Sequence, residues 1–228
     1  MTIPSKDDLI NLYRKRAKHY DITANIYYLI GFREWAYRKL AVSALSLTRG
    51  DTVVEIGCGT GLNFGLLEEF VGPEGNIIGV DLTDDMIAQA KKRVEENRWA
   101  NVELVECDAG KYKFPDMADG ILSTFAITLI PEYDTVIRNG CDALAPGKRF
   151  VILDFKLPSN WLSFLTPLGV LITKPFGVSI EMASRHPWES VNKYLPNSTF
   201  RELYGGFAYV VAGEKDIRDC RNKETAVP

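Results

Sequence analysis

The sequence predicts an α/β fold: a doubly wound, mostly parallel seven-stranded sheet with an antiparallel closing strand and an N-terminal helical cover. Three observations predict it. Between Thr52 and Phe155, short β-branched apolar runs alternate with stretches of helical period, separated by Gly- and Pro-bearing turns. After Pro158 this alternation stops, and two strand-like runs flank Gly205-Gly206. The 228 residues are 46% hydrophobic and 25% charged, which suits one α/β core that needs no disulfide staples.

The elements follow in order. Ser5 to Tyr20 reads as a charged helix with Ser5 as N-cap and with Leu9, Leu12, Tyr13 and Arg16 near one face. Tyr20 to Gly31 reads as a tyrosine-bearing cover, and Phe32 to Leu47 as a second amphipathic helix. Arg49-Gly50-Asp51 is a turn. Strands are predicted over Thr52–Ile56, Asn76–Val80, Val102–Glu106, Gly120–Phe125 and Arg149–Phe155. Helices are predicted over Leu62–Phe70, Thr83–Asn97 with Thr83 as N-cap, and Glu132–Leu144, the last closed by Ala145-Pro146-Gly147. Beyond Pro158, Trp161–Ile172 is helix-like and His186–Leu195 is a short helix. Phe200–Tyr204 and Ala208–Ala212 read as the closing strands, and the tail from Lys215 is charged. Crossovers in such sheets are right-handed. The expected organisation is one domain over 1–228: a helical lid (1–48), a ligand-binding core (49–157) and a substrate-side cover (158–228).

Composition narrows the partners. The net charge is 27 − 30 = −3, which argues against a nucleic-acid partner. Cys58, Cys107, Cys141 and Cys220 form no Cys-x-x-Cys pair, and His19 and His186 are the only histidines, so no metal site is expected. Widely spaced cysteines and a polar N-terminus without an apolar core point to the cytoplasm. The most apolar stretch, Trp161 to Ile180, is broken by Pro167, Lys174 and Pro175, so it does not read as a membrane span. Its Trp161, Phe164, Leu165 and Leu168 leave peripheral membrane contact, or a grip on a lipid tail, open as an expectation.

The chemistry concentrates in Val53-Val54-Glu55-Ile56-Gly57-Cys58-Gly59-Thr60-Gly61, where the first strand turns into the first core helix. Glycine suits a turn with unusual backbone angles and close approach of a ligand. The helix N-terminus beyond it favours a polar or negative group. Ligands of open α/β sheets bind at the carboxyl ends of the strands, beside the switch point. Asp81 ends the second strand, where an acid can accept from a ribose diol. Asp108 ends the third strand, where a carboxylate can accept from an adenine amino group. A dinucleotide fingerprint would need G-x-G-x-x-G, but Leu62 follows Gly61 and the spacing disagrees. No P-loop lysine follows the turn.

This nonapeptide, with Asp81 and Asp108, resembles motif I and its partner acids in class I S-adenosylmethionine-dependent methyltransferases. The resemblance covers roughly Tyr13 to Phe155 and implies a Rossmann-like fold with S-adenosyl-L-methionine as cofactor. It implies that the backbone of Gly57 and Gly59 approaches the methionine part, that Glu55 assists its amino group, and that Cys58, Gly61 and Asn63 belong to the same cofactor site. Asp81 is implied for the ribose, Leu82 and Met86 for the adenine face, and Asp108 with the Ala109 amide for the adenine edge. Ser123 or Phe125 is implied near the methyl group, and Tyr20 over the cofactor.

Two branches of that family are similar. One comprises the ubiquinone/menaquinone-biosynthesis C-methyltransferases, through Tyr20-Asp21 and Arg149 to Phe155. The other comprises phospholipid and betaine-lipid N-methyltransferases, through Tyr20-Asp21, Phe125 to Pro131 and Glu202 to Tyr209. The second is preferred, because Ile22-Thr23-Ala24 interrupts the start typical of the first. The expected reaction is therefore methyl transfer to a small or lipid-like acceptor, with a head-group amine ahead of a quinol carbon. A non-catalytic cofactor-binding or scaffold protein is the reading from another class. Methyl transfer from a sulfonium is an in-line displacement that depends mainly on alignment. Tyr20, His186 and Asp154 are the candidate catalytic groups, although a histidine beside Pro187 also suits a turn or cap. Tyr13, Tyr20 and Tyr28 could form an aromatic wall over the cofactor, with lid packing preferred for Tyr13 and Tyr28.

Overall fold

Thr52–Ile56 forms β1, a strand that is β-branched except at Glu55 and is buried on both faces. That pattern belongs to the centre of a parallel sheet covered on both sides. The computed structural model describes residues 6–17, 31–158, 182 and 184–217. β1 pairs in parallel with β2 (Asn76–Asp81), setting Val53 opposite Ile77, and with β4 (Ala118–Thr124), setting Val54 opposite Ile121. β2 also carries β3 (Val102–Glu106), and β4 carries β5 (Leu144–Phe155). β7 (Ala208–Glu214) runs antiparallel between β5 and β6 (Asn197–Leu203). The order is β3-β2-β1-β4-β5-β7-β6. This is the expected Rossmann-like, seven-stranded, mostly parallel sheet with an antiparallel closing strand.

Helices cover both faces. Beside α1 (Lys6–Arg16) the chain forms α2 (Glu34–Ala44), α3 (Phe64–Val71), α4 (Asp84–Asn97), α5 (Tyr133–Ala143) and α6 (Pro187–Tyr194). Ala41 and Val42 of α2, Leu66 and Leu67 of α3 and Ala90 of α4 pack on Val53, Leu122, Val151 and Leu153. On the other face, Val136, Ile137 and Cys141 of α5 and Val191 of α6 pack on Val54, Ile121, Phe150, Ile152 and Tyr209. At roughly 25 cal/mol per Å² of apolar surface removed from water, these two layers are the main stabilising term.

Several boundaries differ from expectation. The second strand extends through Asp81, because the ladder with β3 continues to Glu106. The fourth ends at Thr124, and Phe125 turns away with φ +55°. Thr83 occupies the N-cap position of α4 without a side-chain cap bond, and its side chain serves Asp81 instead. The expected turn at 145–147 is part of β5, with Gly147 at φ +76° marking an irregularity. Tyr204 leaves the sixth strand for a 3-10 turn with φ +48°. Ser5, His19, Tyr20, Tyr27, Tyr28, Cys220 and the stretch 161–180 lie outside the described residues.

Candidate active site

The switch point lies between β1 and β4, and the turn after β1 opens there. The amides of Gly57 and Cys58 both donate to the Val80 carbonyl, at 2.8 and 3.0 Å, which hangs the turn on β2. Two glycines in it serve different ends. Gly57 has φ +69°, and a Cβ there would meet the Ala126 methyl at 2.3 Å. Gly59 has φ +55°, and a Cβ there would point into space empty to 4 Å. Gly57 thus lets the turn pack on the neighbouring lip, whereas Gly59 leaves bare backbone facing a cleft.

Asp81, at the end of β2, accepts from the Gly59 amide (2.9 Å) and the Thr83 amide (2.9 Å). Burial pushes its carboxyl up, against those hydrogen bonds. Asp108 follows β3. Burial raises it too, but the Lys6 ammonium at 2.8 Å and the Gly110 amide at 3.0 Å reverse that, and its pKa falls below the usual 3.8. Leu82, Met86, Cys58 and Ala109 complete the walls on this side, and Phe125, Ala126, Leu129, Ile130 and Pro131 form the opposite lip. The cleft is open to solvent, and about 950 Å³ of unfilled space lies between these walls with its solvent-open mouth included.

Beneath the cleft floor runs a buried polar network. Arg38 of α2 donates to Glu34 (2.8 Å), Thr124 (2.7 Å) and Asn63 (3.2 Å). The Asn63 amide donates in turn to Glu55 Oε1 and to Thr124 (2.8 Å). Glu55 Oε2 is buried and has no hydrogen-bond partner. Burial pushes the Glu55 carboxyl up to about 7, against the Asn63 bond and the Arg38 charge.

A pH dependence follows from that shift. The folded value lies above the ordinary 4.5, so the folded chain retains a proton that the unfolded chain releases. The Glu55 contribution to stability is fully present below the unfolded value and is lost as pH rises from 4.5 to about 7. A shift of this size corresponds to about 3 kcal/mol. Asp154, raised by burial to about 6, adds a loss of the same sign over the lower part of the window. Thermal melts without cofactor are expected to lose stability between pH 5 and 7.5, and Glu55→Gln to flatten most of that loss. An unchanged slope in the variant would remove Glu55 as its source.

Gly57, Cys58, Gly59, Asp81, Leu82, Met86, Asp108, Ala109 and Phe125 are thus brought together around one cleft. Four expected residues do not line it. Glu55 and Asn63 sit in the buried network. Gly61 faces the Phe64 ring, 2.5 Å from where a Cβ would lie. Ser123 is fully buried and donates to the Ile56 carbonyl at 3.0 Å, stapling β4 to β1, so Thr124 reaches the cleft in its place. His186 is exposed, lies against Trp188 and bonds Glu189 at 3.0 Å, away from the cleft. Asp154 is buried behind the lip, accepting from the Thr128 and Phe155 amides at 3.0 and 2.8 Å. Neither is placed to act on a cleft-bound molecule. Tyr20 lies outside the described residues.

Arg38 and Lys6 are not among the residues expected from sequence, and for Tyr13 lid packing is the preferred expectation over an aromatic wall on the cofactor. Tyr13 lines the cleft with Leu9 and Ile10 of α1. The one available signal was that Leu9 and Tyr13 share a helical face. Among the described residues no group of side chains is arranged to hold a metal, and no helix is long and apolar enough to cross a membrane.

Comparison with known proteins agrees with this geometry. The family model described as "Methyltransferase domain" matches residues 47–189. The demethylmenaquinone methyltransferase of Listeria welshimeri is 25% identical over 219 residues, covering 92% of each chain. The ubiquinone/menaquinone biosynthesis C-methyltransferase of Pseudomonas putida is 29% identical, covering 90% of this chain and 87% of that one. Among solved structures, phosphoethanolamine N-methyltransferase 2 of Haemonchus contortus, in complex with S-adenosyl-L-methionine, superposes with a TM-score of 0.64. It is 18% identical and covers 90% of this chain and 60% of its own, so that likeness is one of fold. The matched segment holds the glycine turn, both strand-end acids and the cleft lip, and the chain belongs to the methyltransferase-domain family.

Proposed function

We propose that this protein transfers a methyl group from S-adenosyl-L-methionine to a ring carbon of a hydroxylated aromatic acceptor with an apolar tail, of the demethylmenaquinol type. The observation that carries this reading is the match to a demethylmenaquinone methyltransferase over 92% of both chains. It favours the quinol carbon over the head-group amine that the sequence reading put first. The cleft agrees. Lys6 and Arg38 are the only cations among its described lining residues. Lys6 is paired with Asp108 and Glu132, and Arg38 with Glu34, so each cation is already countered by a carboxylate of the chain. The lip is apolar from Phe125 to Pro131 except for Thr128, whose side chain is buried.

The residues present fit the cofactor. Gly59 exposes bare backbone toward the cleft, Asp81 lines that cleft at the end of β2, and Glu55 Oε2 is an orphaned buried acceptor close to the turn. Gly57 and Gly59 would hold the methionine part, Asp81 the ribose, and Asp108 with the Ala109 amide the adenine edge. When bound, the cofactor supplies an activated methyl on a sulfonium. The chain's own part is to align the acceptor with that methyl and exclude water, an effect worth up to about 7–11 kcal/mol when the geometry is near attack. Phe125, packed on Phe155 at 4.8 Å and Phe32 at 5.8 Å, gives the acceptor side a rigid aromatic wall.

We further propose one methyltransferase domain over 1–228, with the substrate-side cover meeting the membrane surface that carries a prenyl-tailed acceptor. Co-sedimentation with anionic vesicles tests that contact, and equal recovery in the supernatant with and without lipid would reject it. The activity is tested with labelled S-adenosylmethionine and two acceptors offered in parallel, a short-chain demethylmenaquinol and phosphatidylethanolamine vesicles. Label is expected in a C-methylated quinol. Label in the amine lipid instead would return the head-group reading. Binding of S-adenosylhomocysteine with no turnover of any lipid extract would favour a scaffold.

A further inference from the structure

α1 is an unusual helix for a cofactor-site wall. Among its residues only Leu9 is buried, so little core burial holds it in place. Its attachments are ionic, and they converge on the cofactor side of the cleft. Arg14 forms a two-pronged pair with Asp84 at 2.8 and 3.0 Å, in the first turn of α4. Lys6 reaches Asp108 at 2.8 Å and Glu132 at 2.9 Å. Leu9, Ile10 and Tyr13 face the cleft between these anchors.

We infer that Lys6 is a positioning residue for the cofactor: carried on α1, it orients and counter-charges the Asp108 carboxylate that takes the adenine amino group. The inference rests on the cofactor reading above and goes beyond it, because it makes adenine recognition depend on a residue 102 positions away on a separate helix. A carboxylate offers about four lone-pair sites. The Gly110 amide uses one on Oδ1 and Lys6 one on Oδ2, which leaves room for an amino donor. Lys6 therefore supports the adenine contact rather than blocking it. The groups facing Asp108 are Lys6 on α1, the Gly110 amide and Lys111 on its own loop, and Glu132 across Lys6. Without Lys6, the burial that raises the Asp108 pKa loses its largest opposing partner.

The test is calorimetric titration of S-adenosylhomocysteine against the full chain from pH 5 to 8. It compares wild type, Lys6→Met, Lys6→Arg and Arg14→Gln. Lys6→Met is expected to weaken binding about tenfold at pH 7.5 and to move the acid-side loss of affinity to higher pH. Lys6→Arg is expected to restore both to near wild type. Arg14→Gln, which loosens the helix without touching Asp108, is expected to leave the pH profile in place. Lys6 is one-third exposed, so the substitutions are compatible with folding, and thermal melts check this. Two results would overturn the inference. One is Lys6→Met binding as tightly as wild type or tighter. The other is a loss matched by Arg14→Gln with no shift in pH profile, which would leave only helix docking. Absence of binding by wild type would instead overturn the cofactor reading itself.

Discussion

Asp81→Ala is expected to lower the affinity for S-adenosylhomocysteine by at least roughly 100-fold while leaving the fold intact. Hydrogen bonds to a charged acceptor are worth about 1.5–3 kcal/mol each, and two ribose hydroxyls give at least about 3 kcal/mol. A second loss adds to the first. Asp81 also accepts from the amides of Gly59 and Thr83, so it staples the glycine turn to the start of α4. Removing it frees the backbone that faces the cleft. Stability is expected to fall by about 1–3 kcal/mol, because the Gly59 and Thr83 amides lose their acceptor while relief of the buried carboxyl offsets part of that loss. Asp81→Asn retains one acceptor oxygen and is expected to lose about tenfold. Calorimetry with S-adenosylhomocysteine, alongside thermal melts, separates binding from folding. An Asp81→Ala protein that binds within threefold of wild type would remove Asp81 from the site.

The features legible in the sequence were those set by neighbours in sequence. Thr52–Ile56 announced a central strand because it is β-branched except at Glu55 and ends at a glycine turn. Asp81 and Asp108 could be placed because strand ends in a parallel sheet share one rim. Ser123 was misplaced for a related reason. β4 is buried on both faces, so no apolar-polar alternation distinguishes Ser123 from Thr124. Phe125 was counted in the strand because nothing local signals φ +55° in a non-glycine residue. Lys6 and Arg38 were invisible for a different reason. Their partners Asp108 and Thr124 lie 102 and 86 residues away, and an Arg within an amphipathic helix normally points to solvent. The acceptor side was hardest to read. Its expected residues were spread over the lip after β4, Tyr20 and the segment after Pro158, with no spacing that ties them together.

Arg38→Met is expected to cost about 3–5 kcal/mol of stability, the typical effect of breaking a buried ion pair from one side. For a chain of this length that corresponds to a drop of roughly 10 °C in Tm. The arginine side chain is 5% exposed and Glu34 12%. Without Arg38, the Glu34 carboxylate keeps its burial and loses its cation, while Asn63 and Thr124 each lose a donor. The damage is expected to reach the cleft as well. Arg38 lies 5.2 Å from the centre of the Phe125 ring and holds Thr124, which lines the site, so methyl transfer should fall together with stability. A double-mutant cycle resolves the two contributions. Adding Glu34→Gln removes the uncompensated charge and is expected to recover most of the lost stability. Activity is expected to stay low, because the bonds to Thr124 and Asn63 are still missing. If the second substitution restores activity in step with stability, Arg38 supports the site only by keeping the chain folded. If stability returns without activity, the buried network positions the cleft floor directly.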